Sequence, residues 1–319
     1  MTSSTSISKR ERILGGLWGS LVGDALGVPV EFKDRATVQA DPVKDMRGYG
    51  SHHQPAGTWS DDGALMLCTV DSLLHSEFDT EDMGQRFVRW MNEEFWTATG
   101  VVFDIGGATA DALMRIASGT PAEQAGGCDE FSNGNGSLMR ILPVSLGIAN
   151  EPLAVRRNRL ERASAITHGH PRSMMACAFH GFVTRQLLLG GQLRAAIEAA
   201  RTEFAGCYQH ASEFSRFKHI LNDNLVSLPE GEVVSTGYVL HTLHASLWCL
   251  LTTSSFEECV LKAVNLGGDT DTTGCVAGGL AGVYYGLEAI PQNWIQALAH
   301  REEVEVLFNR FADMMTSLK

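Results

Sequence analysis

Basic residues are the first scarcity: Lys and Arg number 25 against 37 Asp and Glu, a net charge of −12. That balance disfavours a nucleic-acid surface, where clustered cations must neutralise phosphates. Cysteine is also sparse. Cys68, Cys128, Cys177, Cys207, Cys249, Cys259 and Cys275 are odd in number, scattered, and never in C-x-x-C spacing. They read as buried, reduced thiols, as expected of a cytoplasmic protein. No run approaches the ~20 apolar residues that span a bilayer, and Met1–Arg12 lacks an apolar stretch of signal-peptide length. The expectation is a soluble, cytoplasmic protein with no membrane partner. Convincing period-two alternation is missing too, so strands are not expected.

What remains is an ordinary globular composition, 44% hydrophobic and 19% charged over 319 residues, enough for a large core. Helical periodicity dominates, as in Ile13, Leu14, Leu17, Leu21 and Ala25, and again in Leu240, Leu243, Leu247 and Leu250. Ser255-Phe256-Glu257-Glu258 reads as a capping box opening a helix that stops near Gly267-Gly268. Residues 34–60 and 118–136 read as loops. One all-α domain over 1–319 is the simplest organisation, with 1–10 as a flexible tail. Two helical stretches carry glycine at every fourth position: Gly15, Gly19, Gly23, Gly27, and Gly274, Gly278, Gly282. Glycine costs about 1 kcal/mol in a helix, so these stripes predict a crowded centre, one arrangement being the two helices against each other. A run of small residues without a particular partner is the alternative.

Hard oxygen ligands concentrate in two segments, Gly57-Thr58-Trp59-Ser60-Asp61-Asp62-Gly63 and Gly267-Gly268-Asp269-Thr270-Asp271-Thr272-Thr273-Gly274. Each precedes an apolar helical run, so any one acid would serve as an N-cap. A cap needs one side chain, however, and clustered carboxylates repel unless a cation sits among them. Asp and hydroxyl oxygens suit Mg²⁺ or Mn²⁺, whereas zinc usually brings His or Cys. Four Asp and two hydroxyls would hold two ions about 3.5–4 Å apart, a hydrolytic arrangement. The histidines carry less. His52-His53 lies in a loop and His168-Gly169-His170 in a turn; His241 and His244, one helical turn apart, lack a third zinc ligand. Asn133-Gly134-Asn135-Gly136-Ser137 precedes an apolar run, and suits either a backbone cradle for a ligand or a plain tight turn.

Taken in order, these segments resemble the ADP-ribosylglycohydrolase family along nearly the whole chain. The resemblance rests on Gly19-x-x-x-Gly23-Asp24-Ala25-Leu26-Gly27 with Val30-Glu31-Phe32, on Trp59-Ser60-Asp61-Asp62, and on Asp104-Ile105-Gly106. It continues through Asn133-Gly134-Asn135-Gly136-Ser137-Leu138-Met139-Arg140, Thr167-His168-x-His170-Pro171, Gly237-Tyr238-Val239 and Gly268-Asp269-Thr270-Asp271-Thr272.

That resemblance implies a compact orthogonal helical bundle with a central site for two Mg²⁺ or Mn²⁺ ions. Ser60, Asp61, Asp62, Asp269, Asp271 and Thr272 match the metal ligands. Asp104, Asn133, Gly134, Asn135, Gly136, Ser137 and His168 match positions around the ribose and diphosphate, and Tyr238 is expected to stack on adenine. Glu31, Asp61, Asp62 and Asp271 are the implied catalytic set, with Asp24 structural. The implied activity is hydrolysis of the N-glycosidic bond between ADP-ribose and arginine on a modified protein, with ADP-ribose as product. O-linked substrates (serine or O-acetyl-ADP-ribose) and a non-catalytic ADP-ribose-binding or partner-inhibiting role are the alternatives; intact acids speak against the last. Two positions depart from the family: Gly63 stands for Thr, which is expected to loosen the segment, and His241 stands where an Asp is frequent.

Overall fold

In a computed structural model describing residues 7–317, the chain forms fifteen α-helices. Among the described residues there is no strand, only isolated bridges pairing Gly127 with His168 and Gly134 with Tyr238. The first five helices are α1 (Lys9–Gly27), α2 (Arg35–Ala40), α3 (Asp61–His75), α4 (Thr80–Glu93) and α5 (Gly107–Ala117). Then come α6 (Leu142–Gly147), α7 (Leu153–Ala165), α8 (Pro171–Leu188), α9 (Leu193–Tyr208) and α10 (Lys218–Leu221). The last are α11 (Val239–Leu251), α12 (Phe256–Val264), α13 (Thr270–Tyr285), α14 (Gln292–Ala297) and α15 (Arg301–Ser317).

Helix α1 opens with a reciprocal capping box: Ser8 Oγ accepts the Glu11 amide and Glu11 accepts the Ser8 amide. Arg10 reaches Asp313 and Asn309, and Lys9 donates to the Met315 carbonyl. Residues 8–10, expected to belong to a flexible tail, are therefore held by the cap and by α15; residues 1–6 of that expected tail lie outside the described residues. At Ser255 the expected box is only half made. Ser255 Oγ accepts the Glu258 amide, but the Glu258 carboxylate takes the N–H of Ser254 instead.

Every residue of α1 from Ile13 to Gly27 is buried. The stretch Lys9–Val30 is in fact long and apolar enough to cross a membrane by length and composition, contrary to the sequence reading, because Gly and Ala among the leucines obscure it. Here it is the core helix, its apolar window wholly buried inside the fold. Its antiparallel partner is α13. Gly15 faces Gly282, Gly19 faces Gly278 and Gly23 faces Gly274, so that a β-carbon on any of them would collide with the opposing carbonyl. The two glycine stripes meet each other. Close backbone approach gains dispersion and Cα–H···O contacts that offset the helix cost of glycine.

Around this pair, α8, α11 and α12 pack on α13, while α3, α6 and α15 pack on α1. Helix α4 covers α3 and α5 packs on α4, while α7 and α9 cover α8. All seven cysteines are free. Five are buried as expected, but Cys128 is exposed and Cys207 half-buried. The antiparallel register has one decisive result: the C-terminal end of α1 lies beside the N-terminus of α13, where Gly27 abuts the backbone of Asp271.

Candidate active site

Both acidic segments become helix starts. Ser60 caps α3, its hydroxyl accepting the Asp62 amide at 3.2 Å, with Asp61 and Asp62 in the first turn. Asp269 occupies the cap position of α13 without a side-chain cap bond, and Asp271 and Thr272 follow it. Asp24 of α1 fixes α3 from below, accepting the amides of Ser60 (3.0 and 3.1 Å) and Gly63 (2.7 Å). Its expected structural role is thereby explained. Gly63 does not loosen the segment: a β-carbon there would lie 2.6 Å from Leu21 Cδ1 and 2.8 Å from Asp24 Oδ2.

The two starts converge. Thr272 Oγ1 donates to Asp62 Oδ1 at 3.2 Å. One oxygen each of Asp24, Asp62 and Asp271 lies within 4.8 Å of the others, as do ligand atoms of Glu31, His52, Asp104 and Asp271. Asn135 Nδ2 donates to Asp269 Oδ2 and to Thr242 Oγ1, both at 2.8 Å. Asp62 Oδ2, Asp269 Oδ1 and Asp271 Oδ2 are buried with no hydrogen-bond partner. Orphaned buried carboxylate oxygens are costly, and here three belong to the two converging helix starts. Burial, then repulsion by neighbouring acids, pushes Asp61, Asp62 and Asp271 well above the usual carboxylate range. Burial also raises Asp269 and Asp104, and lifts Glu31 to about 8 and Asp24 to about 7. A hard cation removes that conflict, because it lets the acids ionise together. The oxygen-only set of Ser60, Asp61, Asp62, Asp269, Asp271 and Thr272 fits such an ion. The separate grouping of Glu130, His170 and Glu213 needs none, since Arg172 already bridges its two acids at 3.0 and 2.7 Å.

Above the acids opens a cleft of about 270 Å³. Glu31, Asp61, Asp62, Asp104, Gly134, Asn135, Gly136, His168, Asp269 and Thr272 line it. So does the start of α5, where Gly106 offers no side-chain cap and leaves amides available to an anion. Gly136 must be glycine, because a β-carbon would lie 2.8 Å from His168 Cε1. Burial, and secondarily Arg140, holds His168 neutral with its pKa lowered to about 3. Arg140 Nη2 donates to Thr167 Oγ1 (2.8 Å), which in turn contacts His168 Nδ1 (2.9 Å).

Not every predicted residue faces this cleft. Ser137 is fully buried behind the loop, its hydroxyl against Ser164 and Cys177. Asn133 is buried and donates to the Glu130 carbonyl. Tyr238 borders a larger adjoining cavity of about 780 Å³, where His241 meets its ring edge-on at 4.9 Å and Arg172 lies 5.8 Å from its centre. His241 therefore props Tyr238 while its Nδ1 contacts Thr236 Oγ1 at 2.8 Å. The sequence reading missed Phe32, Phe131, Thr109 and Met139, which also line the cleft. It also missed His52, which contacts Glu31. The aromatic pair carried a signal only in hindsight: Phe32 is 71% and Phe131 97% exposed at the rim.

An all-helical fold that gathers carboxylates at paired helix starts beneath a cleft is the architecture of a metal-dependent enzyme class. A sequence profile of the ADP-ribosylglycohydrolase family matches residues 5–318, and the chain belongs to that family. It is 30% identical to an ADP-ribosylarginine hydrolase Tri1 of Pseudomonas putida (strain GB-1), over 95% of this chain and 78% of the relative. It is also 30% identical to the ADP-ribosyl-[dinitrogen reductase] glycohydrolase of Rhodospirillum rubrum, over 95% of both chains. ADP-ribosylhydrolase ARH3 of Danio rerio is 27% identical over 95% of this chain and 90% of its own. A solved structure described as an ADP-ribosylglycohydrolase-related protein complex superposes with a TM-score of 0.81 at 38% identity, covering 97% of this chain and 99% of that one. The protein is a hydrolase of glycosyl bonds.

Proposed function

We propose that this protein removes ADP-ribose from arginine side chains of modified proteins by hydrolysing the N-glycosidic bond, with two Mg²⁺ or Mn²⁺ ions in its site. The observation that carries the metal-dependent reading is the set of orphaned oxygens on Asp62, Asp269 and Asp271 at the two helix starts beside the cleft. Two of the relatives are named for arginine-linked or protein-linked ADP-ribose. Ser60, Asp61, Asp62, Asp269, Asp271 and Thr272 would hold the ions, which when bound orient ribose hydroxyls and water and lower the water's pKa. The amides at the start of α5 and the Gly134–Gly136 backbone receive the diphosphate. Tyr238 offers its ring to adenine. His168, held neutral, contacts the sugar without adding charge. Glu31, buried in the cleft wall beside Asp104, accepts the proton of the attacking water as the ribose–nitrogen bond breaks and positive charge develops on the ribose. The departing guanidine takes up a proton from solvent. Positioning and fixed charge supply most of the rate.

The test is release of ADP-ribose from an arginine-ADP-ribosylated protein by the purified chain with Mn²⁺, with and without chelator. Serine-linked and O-acetyl-ADP-ribose serve as comparison substrates. Release from the arginine substrate should be fastest and chelator-sensitive. Preference for an O-linked substrate would overturn the assignment of the linkage, and chelator-resistant turnover would overturn the metal set.

A further inference from the structure

The segment Tyr49–Gln54 has no part in the sequence motifs, yet it closes on the residue that matters most for proton transfer. Two of its non-glycine residues, Tyr49 and His53, hold left-handed backbone at φ 58° and 54°. The Tyr49 amide donates to the Gln54 carbonyl at 2.7 Å, and the His53 amide to that of Gly50 at 3.1 Å. Strain of this kind persists where surrounding contacts enforce it. Those contacts run to Pro29 and Glu31. The Ser51 amide donates to the Pro29 carbonyl at 3.1 Å, and Ser51 Oγ donates to the Glu31 carbonyl at 2.6 Å. His52 Nε2 is in hydrogen-bond contact with the Glu31 carboxylate itself.

The ring of His52 is not free to wander. It lies between Phe103, 5.1 Å away, and Phe32, 5.8 Å away. The same Nε2 is 3.8 Å from Asp104 Oδ1, so it stands between the two acids of the cleft wall. On the other side, the Glu31 turn is stitched to the entry of α13: the Phe32 amide donates to the Gly268 carbonyl at 2.7 Å and the Gly268 amide to that of Lys33 at 2.8 Å. Backbone bonds thus fix where the Glu31 main chain sits. His52 contacts the carboxylate itself, with Asp104 near the same nitrogen, and so bears on where that carboxylate points.

We infer that His52 is a positioning residue for Glu31, aiming its carboxylate into the cleft while the Tyr49–Gln54 loop holds the imidazole in place. The inference rests on the function proposed above for Glu31. A supporting side chain of this kind is commonly worth 10- to 100-fold when removed, because a misdirected proton acceptor loses its geometry before anything else.

The test is a double-mutant cycle on whichever ADP-ribose linkage the wild-type enzyme cleaves fastest, so that an error in the linkage and an error here are seen separately. His52→Leu should lower kcat by about 10- to 100-fold, with KM, the melting temperature and the calorimetric Kd for ADP-ribose little changed. His52→Gln, which still reaches with a donor, should restore most of the loss. In a Glu31→Gln background, His52→Leu should cost almost nothing further, since coupled residues are non-additive. Should His52→Leu fail to fold, His52→Asn, polar but too short to reach Glu31, takes its place under the same expectations. Wild-type kcat in His52→Leu (or in His52→Asn where it replaces it), an equal loss in the Glu31→Gln background, or a matching loss of ADP-ribose affinity would each overturn the inference.

Discussion

The starts of α3 and α13 read almost alike in sequence, small residues and aspartates before an apolar helix, but the molecule secures them by opposite means. The α3 start is held by charge: one buried carboxylate, Asp24, gathers the amides of Ser60 and Gly63. The α13 start is held by proximity. It has no side-chain cap, and Gly27 presses against Asp271 while Thr270 Oγ1 donates to the Gly27 carbonyl at 2.9 Å. Both anchors come from the last turn of α1. One helix end therefore sets the spacing of the two acidic helix starts.

The sharpest way to break that comparison is to remove a ligand from one start. Asp271→Ala should lower turnover by about 10³-fold or more and weaken Mn²⁺ binding at the same time, although the helix that carries it has no capping bond to lose. Turnover assays and metal titration calorimetry check this. Full activity in that variant would sink the shared-site account, because Asp271 is the acid common to both groupings of ligand atoms.

The anchors themselves should separate stability from activity. A β-carbon in Gly27→Ala would lie 2.5 Å from the Thr270 carbonyl oxygen, an overpacking that costs about 1–3 kcal/mol. Asp24→Asn turns one acceptor into a donor facing backbone amides, costing on the order of 1–3 kcal/mol. It should also shift Asp61 and Asp62, so its turnover should fall further than that of Gly27→Ala at equal loss of stability. Urea unfolding alongside kinetics measures both. Equal ratios in the two variants would mean that the anchors do not differ in kind.

The glycine stripes, the two acidic starts and the Asn-Gly loop were legible because each is a local pattern with one physical cause. Four-residue glycine spacing admits a backbone, clustered acids demand a cation, and small residues admit His168. His52 was visible only as a loop histidine, since its partner Glu31 lies 21 positions away and nothing local marks the pairing. Ser137 misled for the converse reason. It belongs to the motif, but its side chain points into the Ser164–Cys177 contact while the backbone of its neighbours faces the cleft. The membrane-spanning length and hydropathy of Lys9–Val30 were hidden instead, because glycine interrupts the apolar run that a composition scan looks for.

The smallest effect expected is a dependence of stability on pH that reverses the usual carboxylate behaviour. Burial raises Asp24 to about 7 and Glu31 to about 8, and pushes Asp61, Asp62 and Asp271 upward. In the cation-free protein the folded state then keeps protons that the unfolded chain has released, so stability falls as pH rises above the ordinary carboxylate value of about 4. The decline continues until pH passes the folded values, near 7 to 8 for the two groups with numbers. A bound cation holds the acids ionised in the fold and removes the decline. The gap in melting temperature between metal-loaded and chelated protein should therefore widen from pH 5 to pH 8, by a few degrees at about 2–4 °C per kcal/mol. Calorimetry in buffers of different ionisation enthalpy should show protons leaving as Mn²⁺ binds at pH 6, and fewer leaving at pH 8.5. A gap that stays constant with pH would mean the floor of the cleft carries no proton-for-metal exchange, and the orphaned oxygens of α3 and α13 would need another explanation.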